Sequence, residues 1–210
     1  MTKKNLIILT KIRQEVNSNH TRFLLVVRAP QIARINLSVL RILMAERKEK
    51  GIYISIDKPD KHVKQILERQ NIIKDGGSYV DTGVDAESAP DAISSPMQAP
   101  NKILVVSGIF CPTLFLDSID STMASSPEAK EKIEAELKSM NFIMVDNIST
   151  MMAYNSSAKV HEFFIRFDAF LKQFPNIRAF LSMDRTLPND IYQAARKLVD
   201  REVEILDEWL

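Results

Sequence analysis

Apolar residues gather in six short runs along the chain, and more polar stretches separate these runs. Most of the runs are nearly continuous in Val, Ile, Leu, Met and Phe. Such runs are typical of strands that are covered on both faces, as in a parallel sheet. The predicted strands are residues 23–27, 52–56, 78–81, 103–107, 142–146 and 178–183.

Helical periodicity fills most of the stretches between these strands. Apolar residues recur at intervals of three and four positions, and stop or capping residues mark several ends, such as Gly51 and the pair Ser126-Pro127. The predicted helices are residues 35–50, 60–70, 126–140, 158–174 and 188–206. Alternating strands and helices predict an α/β fold on a parallel sheet with right-handed crossovers.

Two further stretches complete the predicted organisation. Residues 1–20 carry apolar side chains at helical spacing and predict an amphipathic helix packed on the domain. Its apolar face is expected to serve core packing or a partner surface, and peripheral membrane contact is the alternative. Residues 21–210 are predicted to form a single domain. Within it, residues 82–101 are rich in Ser, Pro, Ala and Asp, which predicts a mobile surface loop or one that orders on a partner.

Charge and cysteine content narrow the possible partners and sites. The chain has 28 basic and 27 acidic residues, so no nucleic-acid partner is predicted. No apolar run approaches the ~20 residues that a membrane-spanning helix needs. The single cysteine, Cys111, cannot form an internal disulfide, and we expect a cytoplasmic protein. The three histidines lack zinc-type spacing, so no metal site is predicted.

The segment after the first strand, RAPQIARIN, lies where a parallel α/β protein would carry a phosphate-binding loop. In the pattern G-x-x-x-x-G-K-[ST], the glycines fall on Arg28 and Ala33, the lysine on Arg34 and the hydroxyl residue on Ile35. Without the glycines and the hydroxyl, we expect no ordinary ATP binding. A plain strand-to-helix turn is one interpretation; the other is that Arg28 and Arg34 bind another anion near the helix N-terminus.

Four carboxylates lie at the last position of a predicted strand or directly after it. Because parallel strands end at a common edge, these side chains could together bind a divalent cation or act in acid–base chemistry. The alternative is a structural role, since Asp often accepts backbone hydrogen bonds where strands end. The residues are Asp57, Asp81, Asp146 and Asp184. Asp146 is the most specific of them, because the run FIMVD has the form of the magnesium-side strand of P-loop ATPases.

Three stretches resemble the archaeal RecA-superfamily, KaiC-like ATPase-related proteins, in a branch with a degenerate Walker A loop. They are GIYISIDKP at residues 51–59, FIMVDNISTMMAYNS at 142–156, and VHEFFIRFDAFLKQF followed by IRAFLSMD, which spans 160–184. The resemblance implies a three-layer RecA-like P-loop NTPase fold, with a mainly parallel central sheet flanked by helices. It implies a Walker B-like role for Asp146 and, less directly, a correspondence of Asp57 to one acid of the pair that follows the second strand in active relatives.

The chain departs from active KaiC-type enzymes in two places. Such enzymes have an intact Gly-Lys-Thr loop and an acidic pair after the second strand, whereas this chain reads Asp57-Lys58-Pro59 there. The predicted function is therefore that of a non-catalytic domain, a pseudo-ATPase, which acts in signalling or regulation through a protein partner or a homo-oligomer. No cofactor and no catalytic residue are expected.

Two alternatives stay open. In the first, the chain is an ATPase in which Arg34 contacts phosphate and Asp146 organises magnesium. In the second, it is a nucleotide or anion sensor that uses Arg28, Arg34 and the strand-end carboxylates.

Overall fold

The computed structural model describes residues 3–56, 58–73, 79–81, 103–107 and 112–205, and these contain seven strands. The side chains of residues 3–6, 60, 79–81 and 107 are outside this description. The strands are β1 (Arg22–Val27), β2 (Gly51–Ser55), β3 (Tyr79–Asp81), β4 (Ile103–Ser107), β5 (Phe142–Asp146), β6 (Arg178–Asp184) and β7 (Arg201–Glu204).

Helix α1 precedes β1, and the other helices lie between strands along the chain. They are α1 (Lys3–Val16), α2 (Ala29–Leu40), α3 (Asp60–Arg69), α4 (Thr113–Ser125), α5 (Pro127–Ser139), α6 (Ile148–Tyr154), α7 (Ser157–Gln173) and α8 (Asn189–Leu198). A π-helical segment, Arg41–Glu46, continues α2 without a break.

The sheet has the strand order β3-β4-β2-β5-β6-β1-β7, and every neighbouring pair is parallel. Helices cover both faces of the sheet. Alternate residues of a strand point to opposite faces, so each strand packs against helices on both sides. In β1, Leu24 belongs to a core cluster with residues of α4 to α8, and Leu25 to a second cluster with residues of α1 to α3. The predicted three-layer α/β architecture is confirmed.

The predicted strands agree with the structure to within one residue at each end, but the last predicted helix is wrong in its second half. Helix α8 ends at Leu198, and residues 201–204 form β7 beside β1. Val203 is buried in this strand, while its neighbours Glu202 and Glu204 are partly exposed. Helical propensity is a weak preference that pairing with a sheet overrides.

The predicted helix at residues 35–50 also differs from the structure at both ends. Helix α2 begins at Ala29, six residues before the predicted start at Ile35, and its π-helical continuation ends at Glu46. The left-handed residue beyond it is Lys48, with φ 59°. Gly51 instead opens β2, where a Cβ atom would lie 2.4 Å from Cε1 and Cζ of the Phe142 ring. This glycine allows close packing rather than stopping a helix.

Helix α1 packs its apolar face against α2. Ile8, Ile12 and Val16 are each 2% exposed. Two hydrogen bonds of 2.7 and 2.6 Å from Arg201 to Glu15 join α1 to β7. None of the helices in the described part of the chain is long and apolar enough to cross a membrane.

Candidate functional site

The junction between β1 and α2 is a tight turn. Strand β1 ends at Val27, and Arg28, in extended conformation with φ −72° and ψ 142°, is the only residue before α2. Pro30 stands in the first turn of the helix, where its missing N–H costs no hydrogen bond. Within the continuously described residues 22–40, no loop separates strand from helix. Ala33 and Arg34, which align with the end of a phosphate-binding loop, therefore lie inside α2.

A carboxylate of the chain lies at the N-terminus of α2. Asp184, at the end of β6, accepts hydrogen bonds from the amide and hydroxyl of Thr186 at 2.7 and 2.6 Å, and from the backbone amide of Ala29. Burial opposes ionisation of Asp184, but these hydrogen bonds outweigh it and hold its pKa below the ordinary value. The helix terminus, which favours anions, thus already has an anion of the chain beside it.

Asp146, at the end of β5, is 1% exposed and accepts several hydrogen bonds. Its Oδ1 accepts from Nδ2 of Asn36 at 2.7 Å and from Nδ2 of Asn147 at 3.3 Å. Its Oδ2 accepts from the hydroxyl of Tyr53 and, at 2.9 Å, from the ammonium of Lys58. Both carboxylate oxygens are therefore bound by donors of the chain itself.

Lys58 supplies the positive charge in this group. Its side chain is 27% exposed, whereas that of Asp146 is 2% exposed. A buried carboxylate is costly unless it is paired and hydrogen-bonded, and here it has both kinds of partner. Lys58 occupies the turn after β2, where the sequence departs from the acidic pair of active KaiC-type enzymes.

A polar row crosses three strands beside Asp146. In the sheet register Ser55 of β2 lies beside Asp146, and Ser182 of β6 follows Leu181, the partner of Val145. Asn36 connects two members of the row, since its Nδ2 also donates to Oγ of Ser182 at 2.9 Å. Oγ of Ser55 and Oδ1 of Asn36 are buried without a hydrogen-bond partner. The row is a polar layer inside an otherwise apolar core.

A small cavity of about 20 Å³ adjoins this layer. Tyr53, Lys58 and Asp146 line it on one side, and Ala33 and Leu37 of α2 on another. A cavity of this size holds one water molecule, which needs about 10–15 Å³. It has no room for a nucleotide.

The remaining predicted site residues lie apart from this layer. Arg34 is half-buried and lines a cleft formed with α1, and Arg28 is exposed. Asp81 ends β3, which β4 and β2 separate from β5. Asp57, Cys111 and the loop 82–101 lie outside the described residues. The described residues contain no group of three or more His, Cys, Asp or Glu side chains that could hold a metal ion.

Sequence reasoning singled out Asp146 and missed the residues that bind it. Asn36, Tyr53 and Lys58 are contributed by α2, by β2 and by the turn that follows β2. A signal was present for Asn36, since it is a polar residue next to Ile35 on the buried face of an amphipathic helix. Ser55 and Ser182 also interrupt runs that are otherwise apolar.

Comparisons with known proteins bear on the fold. No family model and no curated protein matches the chain. A KaiC-like protein from the archaeon Pyrococcus horikoshii is similar in structure, with a TM-score of 0.52 at 11% identity, over 90% of this chain and 73% of the other. The flagellar accessory protein FlaH from Methanocaldococcus jannaschii has a TM-score of 0.51 at 11% identity, over 92% and 76%.

A third similar structure belongs to a larger protein. The helicase MrfA has a TM-score of 0.57 at 11% identity, over 97% of this chain and 30% of the helicase. At such identities the likeness concerns the fold alone. The chain therefore has the RecA-like fold that the resemblance of its sequence motifs to KaiC-like proteins predicts.

Proposed function

We propose that the chain is a non-catalytic RecA/KaiC-like domain that acts in signalling or regulation through protein–protein contacts. The observation that carries the proposal is the state of Asp146. Both of its carboxylate oxygens accept hydrogen bonds from the chain, and an ammonium 2.9 Å away neutralises its charge. A carboxylate that holds magnesium, directly or through water, needs free oxygens and an unspent negative charge.

The N-terminus of α2 supports the same proposal. A P-loop binds phosphate with successive backbone amides of a loop and a helix start. Here the helix follows β1 after one residue, and the Asp184 carboxylate already accepts from the amide of Ala29. A nucleotide phosphate would have to displace this carboxylate and then meet its repulsion.

The alternative of an unorthodox ATPase or nucleotide sensor has less support. It needs Arg34 and Asp146 to face the same ligand. Arg34 lines the cleft beside α1, whereas Asp146 lines the small cavity beneath α2. The two cavities share Ala33 and Leu37 as lining residues, but neither is lined by both Arg34 and Asp146.

Helical faces, not strand edges, are the proposed contact surfaces. The edge strands β3 and β7 are three and four residues long, and β7 carries three charged residues, which disfavours pairing with a strand of another chain. Large apolar side chains are exposed on four of the described helices instead. They are Ile7 at 50%, Leu114 at 54%, Tyr154 at 55% and Ile165 at 73%.

A nucleotide-binding assay tests the non-catalytic part of the proposal. A fluorescent ATP analogue is titrated with and without magnesium into the wild-type protein and into D146N, with circular dichroism as a check of folding. We expect no saturable magnesium-dependent binding at micromolar analogue concentrations. Binding by the wild type that D146N loses would overturn the proposal, and so would magnesium-dependent phosphate release by the wild type, even if D146N fails to fold.

Site-specific photo-crosslinking in cells tests the contact part. A photo-reactive amino acid replaces Ile165, Leu114 or Tyr154 in turn, and Glu131, an exposed residue of α5, serves as the matched control position. We expect discrete crosslinked adducts from at least one apolar position and none from position 131. The same adduct pattern at all four positions would contradict contact through these faces.

A further inference from the structure

A cleft of about 500 Å³ lies between α1 and α2, and Asp146 is not among the residues that line it. Its lining includes Leu9 of α1, the α2 residues Arg34, Leu37 and Ser38, and Arg41 and Gln70. Small-molecule sites usually have volumes of about 300–1,000 Å³ and apolar walls with a few converging polar groups. The cleft has the volume and lining of such a site.

The charged side chains among the described residues that line this cleft are both positive. Arg34 of α2 and Arg41, the first residue of the π-helical segment, are seven residues apart, about two helical turns, and both are half-buried. None of the described lining residues carries a carboxylate. Ser38 lies between the arginines, but its hydroxyl donates to the carbonyl of Arg34 at 2.9 Å. The guanidinium groups are therefore its charged hydrogen-bond donors.

Arg41 is held in place by a neutral partner. Its Nη2 donates to the backbone oxygen and to the side-chain oxygen of Gln70, both at 3.0 Å. Nearby Glu46 accepts two hydrogen bonds from Arg13, which lower its pKa, and the charge of Arg41 adds to this effect. Glu46 is bound to Arg13, and among the described residues no carboxylate is hydrogen-bonded to Arg41.

The backbone changes geometry at the same residue. Helix α2 turns into a π-helix at Arg41, and the π-helical geometry continues to Glu46. Such turns are rare and occur often at functional sites, because they re-aim side chains that a regular helix would point elsewhere. This backbone feature is independent of the cleft's volume and charge.

We infer that this cleft binds a small organic anion whose phosphate or carboxylate group is held by Arg34 and Arg41 and whose apolar part packs on Leu9 and Leu37. The anionic group gains charge-assisted hydrogen bonds, which Arg forms well with phosphate and carboxylate oxygens. The apolar part covers side chains that are only partly buried. Asp146 does not line the cleft, so the inference stands whether or not the domain is catalytic.

Isothermal titration with octyl phosphate at low salt tests the inference, because this probe combines both features. We expect saturable binding by the wild type, and binding at least about tenfold weaker in R34Q and R41Q, which corresponds to ~1.4 kcal/mol. R69Q is the matched control, since Arg69 is an exposed arginine of α3 that does not line the cleft. Inorganic phosphate and octanol should each bind at least about tenfold more weakly than octyl phosphate.

Either of two binding results would overturn the inference. One is the absence of saturable octyl phosphate binding by the wild type, including the case in which the protein sediments with phosphatidylglycerol vesicles instead. The other is unchanged affinity in both arginine variants. Amide chemical shifts of the wild type give a readout that does not depend on the variants' folding. Shifts are expected in α1 and α2, and shifts confined to α8 and β7 would also overturn the inference.

Discussion

The ammonium of Lys58 lies 2.9 Å from Oδ2 of Asp146, so a lysine of the chain is the counter-ion of the strand-end carboxylate. Asp146 is almost fully buried, while Lys58 keeps contact with water. The pair joins the turn after β2 to the end of β5 across two adjacent strands. The two side chains are therefore energetically coupled, since removal of Lys58 leaves the buried carboxylate without the ammonium that pairs with it.

Replacement of Lys58 by Met tests this coupling. We expect K58M to lose about 2–3 kcal/mol in its free energy of unfolding, near the lower end for a broken buried pair because Lys58 is partly solvated. Urea unfolding measures the loss. K61M is the matched control, since Lys61 is an exposed lysine of the adjacent helix α3.

The double variant K58M/D146N separates charge pairing from packing. If K58M loses stability because the carboxylate lacks its counter-ion, D146N should lower the free energy of unfolding less in the K58M background than in the wild type, by about 1–3 kcal/mol. Strictly additive losses would contradict an energetic link between the two side chains.

Asn36 is expected to act together with Ser182. Asn36 donates to both Asp146 and Ser182, so N36A should cost about 1–3 kcal/mol by leaving buried acceptors without a donor. A double-mutant cycle with S182A should give a coupling energy of at least about 0.5 kcal/mol. S38A, on the same helix, should cost within about 0.5 kcal/mol. Equal losses in N36A and S38A would argue against the polar layer as a stabilising unit.

Asp184 should give stability a specific dependence on pH. Its pKa is lowered in the folded state, so its ionised form stabilises the fold above the unfolded pKa of about 3.9, and this contribution disappears as the pH falls through the lower, folded value. We expect D184N to be less stable than the wild type at neutral pH, and the difference to shrink below about pH 4.

Urea unfolding between about pH 2.5 and 7 measures this difference, over a window that spans the ordinary pKa of Asp. S38A, which alters no ionisable group, should keep a constant offset from the wild type over the same range. A D184N difference that does not change with pH would contradict the role of Asp184 as the ionised acceptor at α2.

Gly51 should tolerate no side chain while Phe142 keeps its ring. G51A places a Cβ atom 2.4 Å from two ring carbons of a fully buried phenylalanine, so we expect a loss of about 1–3 kcal/mol from overpacking. F142L creates space at this point. Thermal unfolding of G51A/F142L should show a loss of stability smaller than the sum of the losses in G51A and F142L. A loss in the double variant that equals or exceeds this sum would contradict the steric explanation.

Local sequence patterns predicted the sheet well. Nearly continuous apolar runs require cover on both faces, and helices between the strands then leave only a parallel arrangement. The position of Asp146 at the end of such a run was equally evident. The short strand β7 was mistaken for helix because its four residues carry three charges, and only its place beside β1 makes it a strand.

The amino-acid sequence alone determined the fold class, the parallel strands and the absence of the glycines that a phosphate-binding loop needs. Only the tertiary structure decided that Asp146 is bound by Asn36 and Lys58, which lie 110 and 88 residues away along the chain. It also decided that Arg34 lines the cleft beside α1 and not the cavity at Asp146. The physical reason is that periodicity is a local property, whereas these contacts depend on strand order and on the residue at which α2 begins.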